Sequence, residues 1–195
     1  MKELFIATGN PHKIREIKAL LAGLPYQVRY PDSLTEQPQI EETGLTFTEN
    51  ALIKARAYRN LVNCLIVGED SGLAVTALAG FPGIYSARWL KESATAEEKN
   101  QGLLSMLEGK SDRSACFTTA VALLTPDGKE RIFVGQLMGS ICTSARGLNG
   151  FGYDPIFLLP QGKTLAELND KKKNTLSHRA IAFGRLREFL ESYES

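Results

Sequence analysis

The sequence predicts an α/β fold on a mixed β-sheet, and three observations carry that expectation. An apolar run, "LFIAT" (4–8), is followed by an amphipathic stretch, which opens the chain as strand, tight loop and helix. Helical and strand patterns then alternate. A long antiparallel hairpin over 114–138 adds strands of the other sense, so the sheet is mixed.

In "HKIREIKALLAG", Ile14, Ile17, Leu20 and Leu21 recur at helical spacing, with Asn10 placed to cap, Pro11 at the first helical position and Gly23 to stop. A second helix is expected over "TFTENALIKARAYRNLV", opened by Thr46 and Glu49 at capping-box spacing. It runs towards "CLIVG" (64–68), a buried strand expected to end in Glu69 and Asp70, with Ser71 and Gly72 forming a turn. "SGLAVTALAGFPGIYSARW" reads as a strand followed by a loop broken by Gly and Pro. Thr95 and Glu98 repeat the capping box before "KNQGLLSMLEG", a third helix.

The hairpin joins "SACFTTAVALL" to "ERIFVGQLMG" through "TPDGK". A Gly-rich loop, "ARGLNGFGYDP", leads into the strand "IFLLP". The chain closes with "SHRAIAFGRLREFLES", where Ser177 caps a helix with an apolar face of Ile181, Phe183, Leu186, Phe189 and Leu190. No repeat, low-complexity tract or linker interrupts the pattern.

The 195 residues, 43% hydrophobic and 23% charged, suffice to bury a core as one domain or two closely joined lobes. With 23 basic and 22 acidic residues the formal net charge is +1, which argues against nucleic-acid or membrane partners. Any anion must be held locally. Cys64, Cys116 and Cys142 lack CxxC spacing and read as reduced core thiols of a cytoplasmic protein. The amino terminus has no signal-peptide pattern, and no run approaches the roughly 20 apolar residues of a membrane span. His12 and His178 are the only histidines, so a metal would be held by oxygen, favouring magnesium or manganese.

Several segments carry chemistry. "TGNPHK" (8–13) puts small polar residues and Lys13 at a helix amino terminus, where backbone N–H groups favour an anion, although an ordinary strand-to-helix turn has the same form. Glu41 and Glu42 precede a helix on which Asn50 and Lys54 share a face; such acids are an oxygen-rich metal seat with Asp70, or dipole decoration. Asp70, buried, needs a cation or lysine nearby. In "GFGYDP" two glycines bracket Phe151, which suits either a flat ring stacked near the backbone or a bent core segment. Lys173, His178 and Arg179 sit before or in the first turn of a helix, where cations oppose the dipole; the mismatch favours an anionic or carbonyl-bearing ligand over a solvated basic turn.

In order along residues 8–180, "TGNPHK", "EETGLTFTENA", "EDSGL", "FPGIYSAR", "GFGYDPIF" and "SHRA" resemble the Ham1-type inosine triphosphate pyrophosphatases. The resemblance implies a two-lobed α/β fold around a long twisted mixed β-sheet with flanking helices, a cleft between lobes and a homodimer. It implies magnesium-dependent hydrolysis of the purine nucleoside triphosphates ITP, dITP and XTP to monophosphate and pyrophosphate. Residue by residue, it makes Thr8, Gly9, Asn10, Pro11, His12 and Lys13 the substrate loop. Asp70 becomes proton acceptor and metal ligand, Glu41 the second metal ligand in preference to Glu42, Lys54 a catalytic cation and Ser71 a substrate contact. Phe151, Gly152, Tyr153, Asp154, Lys173, His178 and Arg179 hold base and sugar. Glu69, Trp89 and Ala180 depart from the usual aspartate, tyrosine and glycine. A Maf-like pyrophosphatase and a catalytically silent nucleotide binder are the competing readings.

Overall fold

The computed structural model describes residues 2–91 and 93–193. Six strands, β1 (Lys2–Ala7), β2 (Tyr26–Arg29), β3 (Leu65–Val75), β4 (Ser114–Leu124), β5 (Glu130–Ile141) and β6 (Phe157–Leu158), form one sheet ordered β2-β1-β3-β4-β5-β6. β1 is parallel to β2 and β3, and β6 is antiparallel to β5, so the sheet is mixed, as the alternation and hairpin predict. Among the described residues five α-helices accompany it: α1 (Pro11–Leu20), α2 (Phe47–Ala57), α3 (Ala96–Met106), α4 (Asp170–Leu176) and α5 (His178–Ser192).

The chain divides into two compact units. The first comprises the segment up to Asp70, Thr119–Gly135 and the segment from Arg179 on. Its strands are buried on both faces. Leu4, Ile6, Leu65, Val67, Val121 and Leu123 pack with Ile17 of α1 and with Phe183, Leu186 and Leu190 of α5. The alternate residues Phe5, Ala7, Ile66, Ala120, Ala122 and Leu124 pack with Ala51 and Ala55 of α2. Two-sided burial explains why these strands read as unbroken apolar runs. The helix α2 lies tight on β3: a Cβ at Gly68 would fall 2.0 Å from the Ala51 carbonyl oxygen.

The second unit comprises Ser71–Thr118 and Gln136–His178. Its core joins Leu73 and Val75 of β3, Leu103 and Leu107, Phe117, Ile141, Tyr153, Ile156 and Phe157.

Local signals set most helix starts. Asn10 caps α1 by accepting from the backbone N–H groups of His12 and Lys13, and both Thr46–Glu49 and Thr95–Glu98 form reciprocal capping boxes. Four boundaries differ from expectation. β3 does not end at Asp70 but passes through Ser71 and Gly72 to Val75; Gly72 is buried, so the Ser-Gly pair is strand rather than turn. Helix α2 stops at Ala57, short of the expected 62. β6 has only two residues. The basic stretch before Ser177 is itself helix α4, capped by Asn169.

Candidate active site

Side chains alternate across a strand, so the adjacent acids of β3 face opposite ways. Glu69 follows Leu65 and Val67 on the face covered by α1 and α5. Asp70 follows Ile66 and Gly68 on the face covered by α2. Each acid therefore has its own set of cations.

On the α2 face, Asp70 is 5% exposed. Its Oδ1 lies 2.8 Å from Lys54 Nζ and its Oδ2 accepts from Asn50 Nδ2 at 3.3 Å. Asn50 and Lys54, four residues apart on α2, reach the same carboxylate, as their shared helix face predicts. Lys54 Nζ also meets Glu42 Oε1 at 2.6 Å and donates to the Glu69 carbonyl at 3.2 Å, so its three hydrogens have three oxygens. Asn50 Oδ1 accepts from Gly44 N at 2.9 Å, tying the segment after Glu42 to the helix. Burial pushes the Asp70 carboxyl up, against the pull of Lys54, whose charge is divided with Glu42. Burial alone would lower the Lys54 ammonium, but Asp70 and Glu42 outweigh it and raise it. The site thus holds a carboxylate disposed to take a proton beside a lysine disposed to keep one.

Of the two neighbouring acids it is Glu42 that stands with Asp70, while Glu41 is exposed. Asp70 Oδ1 and Glu42 Oε1 converge on one cation, the Lys54 ammonium, and such oxygen donors suit a hard divalent ion that retains several waters. Among the described residues no cluster of three or more His, Cys, Asp or Glu forms a ready-made metal site.

On the opposite face, Glu69 is 1% exposed and bridges two cations. Its Oε2 meets Lys13 Nζ at 2.7 Å, and its Oε1 accepts from Arg179 at 2.9 Å. A second guanidinium nitrogen donates to Glu16 Oε2 at 2.7 Å. Burial favours the neutral acid, yet Lys13 and Arg179 together hold Glu69 well below the usual carboxylate range. Arg179, expected at the base and sugar, is compensated by these two acids, so its place in a first helical turn needs no anionic ligand. Glu16 was missed, although it shares a helical stripe with Lys13, Ile17 and Leu20, and an acid on an apolar stripe calls for a buried partner.

The loop between β1 and α1 presents Thr8, Gly9, Asn10, Pro11 and His12. Thr8 Oγ1 accepts from Asn10 N at 3.3 Å, and a Cβ at Gly9 would meet nothing within 4 Å. Nothing in the chain's own packing demands glycine there, which leaves the backbone open to close approach by a ligand.

In the second unit, Asp154 clamps the loop 150–155. Its Oδ2 accepts from Phe151 N at 2.8 Å and meets Lys173 Nζ at 2.5 Å. Lys173 also lies 4.8 Å from the centre of the Phe151 ring. Lys173 is buried, so the solvated basic turn is excluded. His178 stacks on Phe117, rings 4.5 Å apart and 8° from parallel. Tyr153 Oη accepts from Trp89 Nε1 at 2.6 Å and donates to the Ser86 carbonyl at 2.7 Å. Asn100 Nδ2 donates to the Gly152 carbonyl at 3.0 Å. Among the supports of this loop, Phe117, Ser86 and Asn100 carry no signal in the sequence, and Trp89 stands out there only as a departure. Ser71, half-buried on β3, belongs to this unit.

The family model of the Ham1 family matches residues 4–189. This chain belongs to the Ham1 family. A "dITP/XTP pyrophosphatase" of Geobacter sulfurreducens is 45% identical to this Ham1 chain over 193 residues, covering 97% of each. Two solved structures share the fold. A HAM1 protein from Coxiella burnetii superposes with a TM-score of 0.92 at 39% identity, and the Staphylococcus aureus Ham1 protein with 0.90 at 40%. Each match covers 99% of the Ham1 chain and 100% of the solved one. No helix among the described residues is long and apolar enough to cross a membrane.

Proposed function

We propose that this chain hydrolyses non-standard purine nucleoside triphosphates, ITP, dITP and XTP, to the nucleoside monophosphate and pyrophosphate. The observation that carries the reading is the convergence of buried Asp70 and half-buried Glu42 on Lys54, in a chain 45% identical to a relative named for that activity. Asp70 takes a proton from the attacking water as that water bonds to phosphorus next to the α–β bridge. The bridging P–O bond breaks and pyrophosphate leaves. Lys54 remains cationic beside it and offsets the developing charge. Asp70, with Glu41 or Glu42, would hold magnesium, which would supply further charge neutralisation at the leaving group.

Thr8, Gly9, Asn10, Pro11, His12 and Lys13 receive the triphosphate, with Ser71 a further contact. Phe151, Gly152, Tyr153, Asp154, Lys173, His178 and Arg179 serve the base and sugar. Inosine and xanthine carry a 6-carbonyl where adenine carries an amino group, so donors in this set leave the adenine amino group unpaired. Mismatches of that kind discriminate by up to about 10⁴–10⁵. His178, Arg179 and loop N–H groups are the proposed donors to the 6-oxygen. The protein acts in the cytoplasm as a homodimer, which light scattering at micromolar concentration checks.

Pyrophosphate release from ITP, XTP, ATP and GTP, each with and without magnesium, tests the proposal. Fast, magnesium-dependent release from ITP and XTP with slow ATP and GTP is expected. Absence of release from all four overturns it.

A further inference from the structure

We infer that Trp89 is a positioning residue for the loop 150–155, acting through a one-way hydrogen-bond chain to Tyr153. The inference rests on the reading of that loop as part of the nucleotide site. An indole nitrogen only donates, so the Tyr153 phenol accepts from Trp89 at 2.6 Å and its single hydrogen goes to the Ser86 carbonyl at 2.7 Å. Burial pushes the phenol up to about 12, so it keeps that hydrogen. Ser86 is itself tied down: its hydroxyl accepts from Leu73 N at 2.9 Å and donates to the Gly83 carbonyl at 2.6 Å. Tyr153 is thereby anchored to β3. One residue earlier, Gly152 is held by Asn100 of α3. Consecutive loop residues are fixed from outside the loop while Asp154 fixes it from within.

The seat of the indole is built for it. Phe81 meets the ring edge-on, centroids 5.1 Å apart at 80°. Helix α3 passes it at Gly102, where a Cβ would lie 2.9 Å from the outer carbon of the indole. Glycine inside a helix weakens it, so room for this ring outweighs helix propensity there. Neither phenylalanine nor tyrosine at position 89 would bring a ring N–H, and the direction of the chain would be lost.

Trp89→Phe keeps an aromatic ring against Phe81 and deletes the donor. Binding of the base is common to ground and transition states, so loosening its loop raises KM and spares kcat. KM for ITP is expected to rise about five- to tenfold with kcat within about twofold. An unchanged KM, or a fall in kcat alone, overturns the inference. Where Trp89→Phe does not fold, Gly102→Ala carries the same test, because it displaces the indole and leaves every hydrogen-bonding group in place. The same KM rise supports the inference and an unchanged KM overturns it. Should the wild type not turn over ITP, the pyrophosphatase reading fails and the inference is read by fluorescence. Trp89 is the only tryptophan. Its emission is titrated with inosine monophosphate: a change that Tyr153→Phe abolishes supports the coupling, and no change in the wild type overturns it.

Discussion

In the unit that holds Asp70, the buried polar groups include four formal charges, Asp70, Glu69, Glu16 and Arg179, all at most 9% exposed, beside the neutral Asn50, Thr119 and Thr125. In the unit that holds Tyr153, a single buried ion pair among the described residues, Lys173–Asp154, stands among neutral hydrogen bonds and rings. The difference follows from what each unit offers around β3. There the first unit puts a helix on either face, and α1, α2 and α5 each supply a long charged side chain that can reach a strand acid. The second unit supplies aromatic side chains from loops and strands, and most of its polar atoms are satisfied by hydroxyl, amide and indole groups. A charged site keeps its electrostatics at the cost of desolvation, whereas a neutral one holds shape with less dependence on protonation. Charge suits phosphate and metal; shape suits a base.

The sharpest test of the charged side is Asp70→Asn, which keeps size and removes the proton acceptor. Loss of about 10²–10⁴ in kcat is expected, with a melting temperature near that of the wild type because burial already disfavours the charge. Pyrophosphate release reads the first quantity and circular dichroism the second. Turnover at the wild-type rate would remove Asp70 from the chemistry.

Glu69→Gln attacks the other face. It leaves two buried cations, Lys13 and Arg179, with Glu16 as their remaining acid, and breaking such a network costs about 3–5 kcal/mol. The pH dependence has a definite sign. The folded-state pKa of Glu69 is depressed, so its stabilisation is complete above the unfolded glutamate value of about 4.3 and is lost as pH falls towards the folded value. In chelator, the wild-type melting temperature should therefore drop below about pH 4.3, while Glu69→Gln starts lower and falls less. Parallel acid limbs would mean that Glu69 carries no such linkage.

These two acids also mark how far the sequence could be read. The strand, loop and helix from Leu4 to Leu20 were legible because their determinants are local: an apolar run, an Asn cap and a proline at the first helical position. The continuation of β3 was not. Glycine beside serine signals a turn when only neighbours are considered, and the burial that keeps it in the strand comes from contacts remote in sequence. Alternation alone could have separated Glu69 from Asp70, since period-2 side chains cannot share a face when adjacent. Lys54 was placed correctly through its spacing from Asn50. The position of Lys173 before a helix points to an anionic ligand, but its ion-pair partner Asp154 lies 19 residues away across the start of α4, beyond any local signal. That Glu42 rather than Glu41 meets Lys54 was not legible, because their segment has no periodicity to orient it.

Gly150→Ala sharpens the neutral side. Gly150 has φ +76°, and a Cβ there would fall 2.0 Å from Asp154 Oδ2, the atom that clamps Phe151 N and Lys173. Backbone strain and a displaced clamp together should cost about 1–3 kcal/mol, with KM for ITP raised and kcat less affected. A melting temperature and KM equal to the wild type would show that Asp154 does not set the loop.

The smallest expected effect decides whether rings in the second unit do for shape what ion pairs do for charge in the first. Phe117 is 6% exposed, stacked on His178 and tilted against Phe157 with centroids 4.7 Å apart. Phe117→Leu keeps an apolar side chain of similar reach but removes both ring contacts, each worth about 0.5–1.5 kcal/mol beyond the area they bury. A loss of about 1–2 kcal/mol is expected, which in a chain of this length lowers the melting temperature by about 2–4 °C for each kcal/mol. No charge is removed, so the loss should be the same in low and high salt, and KM for ITP should rise only about two- to fivefold as the His178 ring loses its support. If Phe117→Leu proved as damaging as Glu69→Gln, the contrast between the units would break, because ring packing would then hold the neutral unit as firmly as buried ion pairs hold the charged one.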